Sequence, residues 1–240
     1  MMEKVIKNIL VTGASRGIGA AIIASLKSDG QNVIGHATTS TLDLIGVDIS
    51  IEHASKKLWQ TALDRFGGQI DIVINNAGVF EANPIDSNDS EWTTSWNRTM
   101  QINLTTSAEL CRLAILHWQQ KNRAGRIVNI ASRAAYRGDS PHHWHYAASK
   151  AGMVAMTKSI ARGYAHQDIL AFAICPGFTM TGMAVDYLES RGGDKLLADI
   201  PLGRVADPKE IATIAKFCAL DAPASMTGAV VDANGASYVR

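Results

Sequence analysis

The sequence predicts an α/β fold in which a parallel β-sheet is covered by helices on both faces. A mostly apolar run at residues 5–12 leads into a glycine-rich turn and then into a helical pattern, Ala20–Leu26. Further short apolar strands alternate with helical patterns along the chain, which is typical of a parallel sheet. The 240 residues can bury one sizeable core. We therefore expect a single Rossmann-type, doubly wound domain of about seven strands that spans residues 1–240.

The composition argues against several classes of protein. The formal net charge is +1 and the lysines and arginines do not cluster, so no basic face favours a nucleic-acid partner. Hydrophobic residues make up 47% of the chain, yet no apolar run is long enough to span a bilayer. The N-terminus also lacks an apolar segment of signal-peptide length. We expect a cytoplasmic protein with no membrane partner.

The sequence predicts neither disulfides nor a metal site. The chain has three widely spaced cysteines without a C-x-x-C pair: Cys111, Cys175 and Cys218. An odd, scattered set does not form a disulfide framework or a zinc site. His142, His143 and His145 are close in sequence, but the first two are adjacent and no acidic or cysteine cluster completes a metal site. These histidines are predicted to line or rim a pocket.

The glycine-rich turn, Thr12–Gly19, predicts a dinucleotide site. Its glycines let the backbone turn tightly and approach a pyrophosphate, whose charge is met by the free N–H groups at the start of the following helix. The spacing G-x-x-x-G-x-G differs from the G-x-G-x-x-G fingerprint, so the prediction rests on the strand-to-helix context. The alternative is a turn that only reverses the chain.

The end of the second strand favours NADP(H) over NAD(H). A carboxylate at this point would accept a hydrogen bond from the ribose of NAD and repel the 2′-phosphate of NADP. Asn32–Gly35 is the predicted strand, and residues 36–40 that follow it include no carboxylate. Arg16 in the glycine turn can reach the same corner. The alternative for Arg16 is an ordinary solvated side chain.

The connection between the second and third strands is unusually short. The third strand is predicted at Leu44–Val47, with Asp48 at its end beside the adenine, so only residues 39–43 separate the two strands. A crossover between parallel strands usually needs ten or more residues, most of them in a helix. We therefore predict a loop in place of a helix.

The rest of the chain continues the alternation of helices and strands. Asn103 falls inside a long helical tract, and because asparagine is a poor helix former it indicates a local bend or a ligand contact there. The predicted elements are a helix at 53–66, a strand at 70–74, a helix at 91–121, a strand at 126–130, a helix from 146 to about 165, a strand at 169–175, a helix at 208–220 and a strand at 229–232.

Tyr146 and Lys150 form a candidate catalytic pair. Residues four apart in a helix share a face, and a nearby cation lowers the pKa of a phenol toward working pH, where it can exchange a proton with a carbonyl oxygen. The alternative is a chance pair of ordinary helix residues.

Together these motifs resemble the short-chain dehydrogenase/reductase family over essentially the whole chain, and most closely its 3-oxoacyl-acyl-carrier-protein reductase branch. The resemblance rests on Thr12-Gly13-x-x-x-Gly17-x-Gly19, Asn75-Asn76-Ala77-Gly78, Asn103, Ser132, Tyr146-x-x-x-Lys150 and Pro176-Gly177. It implies an NADP(H)-dependent oxidoreductase that acts on a carbonyl or secondary alcohol, with a small-molecule or carrier-linked substrate. It also implies a homotetramer built on the two long helices.

The resemblance implies a role for each matching residue. Tyr146 would be the acid/base and Lys150 would lower its pKa and hold the nicotinamide ribose. Ser132 would bind the substrate oxygen, and Asn103 would hold a water that links Lys150 to solvent. The implied cofactor-binding residues are Gly13, Ser15, Arg16, Gly17, Ile18, Gly19, His36, Thr38, Asp48, Ile49, Asn76, Ala77, Gly78, Tyr146, Lys150, Pro176, Gly177, Thr179 and Thr181.

Three features depart from the family pattern and leave the substrate open. The connection after the second strand is short, Ser132 lies one residue farther from Tyr146 than in the carrier-protein reductases, and Arg133 follows Ser132. Arg133 could recognise an acidic substrate, although solvation is the favoured interpretation, and a basic patch with Arg137 and Arg191 would favour an acidic carrier. The alternatives to carrier-linked chemistry are reduction of a free small ketone or sugar, and a non-catalytic dinucleotide-binding protein.

Overall fold

The computed structural model describes residues 5–180 and 197–240 and confirms the predicted fold class. Seven parallel strands form one sheet in the order β3-β2-β1-β4-β5-β6-β7. The strands are β1 Asn8–Val11, β2 Asn32–Ala37, β3 Leu44–Gly46, β4 Ile72–Asn75, β5 Gly125–Ile130, β6 Ile169–Pro176 and β7 Val230–Ala233. The main helices are α1 Gly17–Ser28, α2 Ala54–Arg65, α3 Asp89–Met100, α4 Thr106–Lys121, α5 Ala134–Arg137, α6 Trp144–Tyr164 and α7 Pro208–Lys216.

Alternating residues of β1 pack into different hydrophobic clusters on the two faces of the sheet. On one face of the sheet, Ile9 and Val11 of β1 pack in the same cluster as residues of α1 and α7. On the other face, Leu10 packs in a cluster with residues of α2, α4 and α6. Because successive side chains of a strand point to opposite faces, a strand buried on both sides must be apolar throughout. This explains β6, all eight of whose residues are buried.

The short connection between β2 and β3 is confirmed, and residues 38–43 contain no helix. β2 extends two residues beyond its predicted end because His36 and Ala37 pair with β3. β3 is only three residues long, with Leu44 opposite Gly35. From the end of β2 at Ala37 to the start of β3 opposite Gly35, the connection has to return along the strand direction by only two residues, about 7 Å. A loop can cover this distance without a crossover helix.

The long helical tract around Asn103 is divided into two α-helices by a π-helical turn. α3 ends at Met100, residues Gln101–Thr105 form the π turn, and α4 begins at Thr106. The local irregularity that Asn103 predicted is therefore present. Such turns recur at functional sites because they redirect side chains within a helix.

The order of the strands determines where a ligand can bind at the edge of the sheet. The chain passes outward through β2 and β3 on one side of β1, and through β4 to β7 on the other side. The carboxyl ends of β1 and β4 thus border a crevice at the topological switch point, where open α/β sheets bind their ligands. Within residues 5–180 and 197–240, the structure holds no helix long and apolar enough to cross a membrane.

Candidate active site

Three predicted catalytic side chains converge on one cavity. Ser132 follows the end of β5, and Tyr146 and Lys150 lie one turn apart near the start of α6. The cavity has a volume of about 160 Å³. Its lining also includes Ile18, Gly78, Val79, Phe80, Ile130, Ala131, Arg133, Asp139, Pro176, Gly177, Phe178 and Thr179. We call it the substrate cavity.

The phenol of Tyr146 does not have the lowered pKa that its spacing from Lys150 predicts. Burial raises the pKa of Tyr146 to about 12, and a hydrogen bond with Ser132 opposes part of that rise. Lys150 Nζ lies 5.9 Å from the centre of the tyrosine ring, and the rise that burial causes is the larger effect on the pKa. Burial also lowers the pKa of Lys150 to about 8. Tyr146 therefore holds its proton at neutral pH and is a proton donor.

Lys150 and Asn103 connect the catalytic helix to the sheet. Lys150 Nζ donates to the carbonyl oxygen of Ile130 at 2.9 Å. The Asn103 amide accepts from the backbone N–H of Val79 at 2.8 Å and donates to the Val79 carbonyl at 3.1 Å and to Ser149 Oγ at 3.2 Å. The amide thus ties the loop after β4 to α6. A role of Asn103 in holding a water stays a prediction.

A second cavity adjoins the substrate cavity, and we call it the dinucleotide cavity. Ile18, Gly78 and Val79 line both cavities, so they form the boundary between them. Most of the predicted cofactor residues come together here. Its lining is Gly13, Ser15, Arg16, Gly17, Ile18, His36, Ala37, Thr38, Asp48, Ile49, Asn76, Ala77, Gly78, Val79, Arg98 and Ile102.

The glycine turn fits a pyrophosphate. Arg16 is the N-cap of α1 with extended backbone, its side chain makes no capping hydrogen bond, and the first turn has no acidic residue. The N–H groups of that turn can therefore meet an anion. The turn also packs tightly, because a Cβ on Gly13 would lie 2.7 Å from the Cα of Ala77 and one on Gly19 would lie 2.1 Å from the Gly13 carbonyl oxygen. Gly19 thus shapes the turn and does not line the cavity.

His36 and Asn76 support the glycine turn. Gly13 N–H donates to His36 Nδ1 at 3.3 Å, so the other ring nitrogen carries the proton and donates to the Val47 carbonyl at 2.9 Å. Burial lowers the pKa of His36, and the ring offers no cation to a 2′-phosphate. The Asn76 amide donates to the carbonyls of Thr12 and Gly13 at 3.0 and 2.9 Å.

The adenosine end of the dinucleotide cavity carries the expected polar groups. Arg16 and Thr38 are both exposed and line it. Asp48 is the one acidic side chain among the described lining residues, and Ser50 holds it by its N–H at 2.9 Å and its hydroxyl at 2.7 Å. These hydrogen bonds lower the pKa of Asp48. Arg98 also lines this cavity, and its helix, α3, gave no motif that would have identified it.

The histidines before Tyr146 lie behind the substrate cavity and do not line it. His143 stacks on Phe80 with ring centres 3.9 Å apart, and Phe80 meets the Tyr146 ring edge-on at 4.8 Å. His143 and His145 are buried, while His142 is exposed. None of the three histidines is among the residues that line the substrate cavity, where Phe80 takes that place, and a position at the rim of a pocket stays a prediction. Among the described residues, no three His, Cys, Asp or Glu side chains form a metal-binding group.

Arg133 is buried, which contradicts the prediction of a solvated side chain. It is 8% exposed, its guanidinium carbon lies 4.7 Å from the centre of the Phe178 ring, and NH1 lies 3.4 Å from Asp199 Oδ2. Arg137 meets the same oxygen at 2.7 Å. Arg191 lies outside the described residues, as does Thr181, the predicted contact at the nicotinamide end. Phe80, Phe178 and Asp139 are lining residues that no sequence motif indicated.

Comparisons with known proteins agree with this geometry. A sequence profile described as enoyl-(acyl carrier protein) reductase matches residues 13–235. A 3-oxoacyl-acyl-carrier-protein reductase from Vibrio cholerae is 35% identical over 245 residues, covering 97% of this chain and 98% of the relative. The Escherichia coli protein of that description is 33% identical over 244 residues with the same coverage.

A solved structure extends the likeness to the fold. It is a protein from Agrobacterium tumefaciens, provisionally described as a gluconate dehydrogenase, with a TM-score of 0.86 and 26% sequence identity. The alignment covers 98% of this chain and 97% of that one. The profile and both relatives align with nearly the whole length of the chain. The chain therefore belongs to the short-chain dehydrogenase/reductase family.

Proposed function

We propose that this protein is an NADP(H)-dependent oxidoreductase that reduces a carbonyl to a secondary alcohol. The observation that carries the proposal is the convergence of Ser132, Tyr146 and Lys150 on a cavity that adjoins the dinucleotide cavity. A non-catalytic dinucleotide-binding protein would not need these three side chains in one cavity. The relatives from Vibrio cholerae and Escherichia coli are themselves described as reductases.

The two donors in the substrate cavity suit reduction. The nicotinamide supplies the hydride when the cofactor is bound. Tyr146, whose pKa of about 12 keeps it protonated at neutral pH as an ordinary phenol is, donates its proton to the substrate oxygen. Ser132 Oγ accepts from the N–H of Ala134 at 3.1 Å, which leaves its own proton for the same oxygen or for Tyr146. Donors fixed in this way stabilise the charge that develops on that oxygen.

Two substrate classes fit this reaction. The descriptions of the relatives favour a 3-oxoacyl group on acyl carrier protein. The walls of the cavity favour a smaller free ketone or sugar, because Phe80 and Phe178 line a space of about 160 Å³. Ligand pockets for drug-sized molecules are larger, about 300 Å³ or more.

Removing the Tyr146 hydroxyl should abolish catalysis and leave the cofactor site intact. We expect Tyr146→Phe to lower kcat for ketone-dependent NADPH oxidation by about 10²- to 10⁴-fold, measured by absorbance. Tyr164→Phe, near the C-terminal end of the same helix, is the control and should keep its activity. Near-normal turnover by Tyr146→Phe would contradict the assignment.

We propose that NADPH binds more tightly than NADH, because Arg16 and Thr38 border the adenosine end and no carboxylate follows β2 there. Thr38→Asp should shift the ratio of the two dissociation constants toward NADH by at least about tenfold, through repulsion of the 2′-phosphate. Isothermal titration measures both constants. Thr39→Asp, whose residue does not line the cavity, is the control. Tighter binding of NADH by the unmodified protein would overturn the preference.

We propose a homotetramer as the working form. Leu116 on α4 and Trp144 at the start of α6 are 47% and 51% exposed, and large exposed apolar side chains on packed helices favour association. Light scattering should give four times the chain mass of 25.7 kDa. A monomer at micromolar concentration would contradict this.

A further inference from the structure

Arg133 is a buried cation in the wall of the substrate cavity. It follows Ser132 directly and shares with it the lining of that cavity. Its side chain is 10% exposed. Buried guanidinium groups are costly unless anions or hydrogen-bond acceptors meet them, so its partners decide its role.

The position of Arg133 is fixed by its backbone and by an aromatic ring. Its N–H donates to the carbonyl of Pro176, the last residue of β6, at 2.9 Å. Its guanidinium lies over the ring of Phe178, 4.7 Å from the ring centre. Both contacts tie Arg133 to a strand end and a loop whose residues also line the cavity. The guanidinium is therefore held against Phe178, itself a lining residue, and is largely shielded from solvent.

The carboxylate beside Arg133 does not satisfy it. Asp199 Oδ2 lies 3.4 Å from Arg133 NH1 but only 2.7 Å from Arg137 NH1, so the closer hydrogen bond goes to Arg137. A guanidinium has five N–H donors, and the described residues give Arg133 this one long hydrogen bond. Asp139 also lines the cavity but is exposed, and solvent screens its charge. Burial and the nearby Arg137 charge lower the pKa of Arg133, and the opposing effects of Asp199 and Asp139 offset this only in part.

We propose that Arg133 binds the carboxylate of a compact oxo acid whose ketone oxygen lies against Ser132 and Tyr146. The inference rests on the proposed function and names its substrate class. The substrate carboxylate accepts hydrogen bonds from the guanidinium N–H groups that no residue in 5–180 or 197–240 engages, ideally as a bidentate pair. One hydride from NADPH adds to the ketone carbon, the C=O π bond breaks, and the Tyr146 proton adds to the oxygen. The products are a hydroxy acid and NADP⁺, and the carboxylate is unchanged.

Matched acids and esters test the proposal. The probes are 2-oxobutanoate and 3-oxobutanoate, each with its methyl ester, which keeps the ketone and removes the charge. We expect kcat/KM to be at least tenfold higher for the acid in one of the pairs. Preference for the ester in both pairs, or no turnover of either acid, would overturn the inference. Turnover of the esters or of other ketones would still support the proposed function, so the two failures are distinguishable.

Substitutions test whether Arg133 causes the preference for the acid over its ester. Arg133→Met should lower the acid-to-ester ratio of kcat/KM by about 10- to 100-fold, the loss expected for a charge-assisted hydrogen bond. The ratio is measured within one preparation, so it is independent of the folded fraction. Arg65→Met is the control, because Arg65 is exposed at the end of α2 and lines neither cavity, and its ratio should change by less than about threefold.

Asp199→Asn supplies a test that does not depend on the folding of an Arg133 variant. Asp199 competes with the substrate carboxylate for Arg133, and its side chain is 49% exposed, so the substitution is tolerated structurally. We expect a lower KM for the acid and an unchanged KM for its ester. An acid-to-ester ratio that stays constant or falls would overturn the role of Arg133.

Discussion

The site depends on the burial of one ammonium group at the edge of the sheet. Lys150 is 4% exposed and burial lowers its pKa to about 8. Its Nζ is held by the carbonyl of Ile130 at the end of β5. A Cβ on Gly78 would lie 3.3 Å from both this nitrogen and Asn103 Oδ1, so the loop after β4 approaches them closely. Since a buried charge needs polar neighbours in fixed positions, β5, that loop and α6 have little freedom to shift.

Burial of the phenol itself determines the protonation of Tyr146. A phenol with a pKa of about 12 is a poor base at neutral pH but keeps a proton to give. Its ring is held on one side by Phe80, which His143 in turn supports. The segment before Tyr146 thus supports the tyrosine ring through the stack of His143 on Phe80. A fixed, protonated donor beside Ser132 is what the reduction of a carbonyl requires.

The sequence was informative wherever function depends on local spacing. The alternation of strands and helices, the loop between β2 and β3, the irregularity at Asn103 and the shared helix face of Tyr146 and Lys150 all follow from patterns within short segments. Three other features of the site depend on tertiary packing. The direction of the Tyr146 pKa shift depends on burial, Arg133 is buried by Phe178 from a distant loop, and Arg98 reaches the dinucleotide cavity from a helix without a motif. None of these follows from residue spacing.

We propose that a hydride passes from NADPH to a carbonyl carbon in the cavity at Ser132, Tyr146 and Lys150. The most direct test uses NADPH carrying deuterium at the transferred position of the nicotinamide, with a reducible ketone and mass spectrometry of the product. We expect an alcohol with one deuterium, bound to the carbon of the former carbonyl. Product without deuterium would contradict it, as would NADPH consumption without formation of the alcohol.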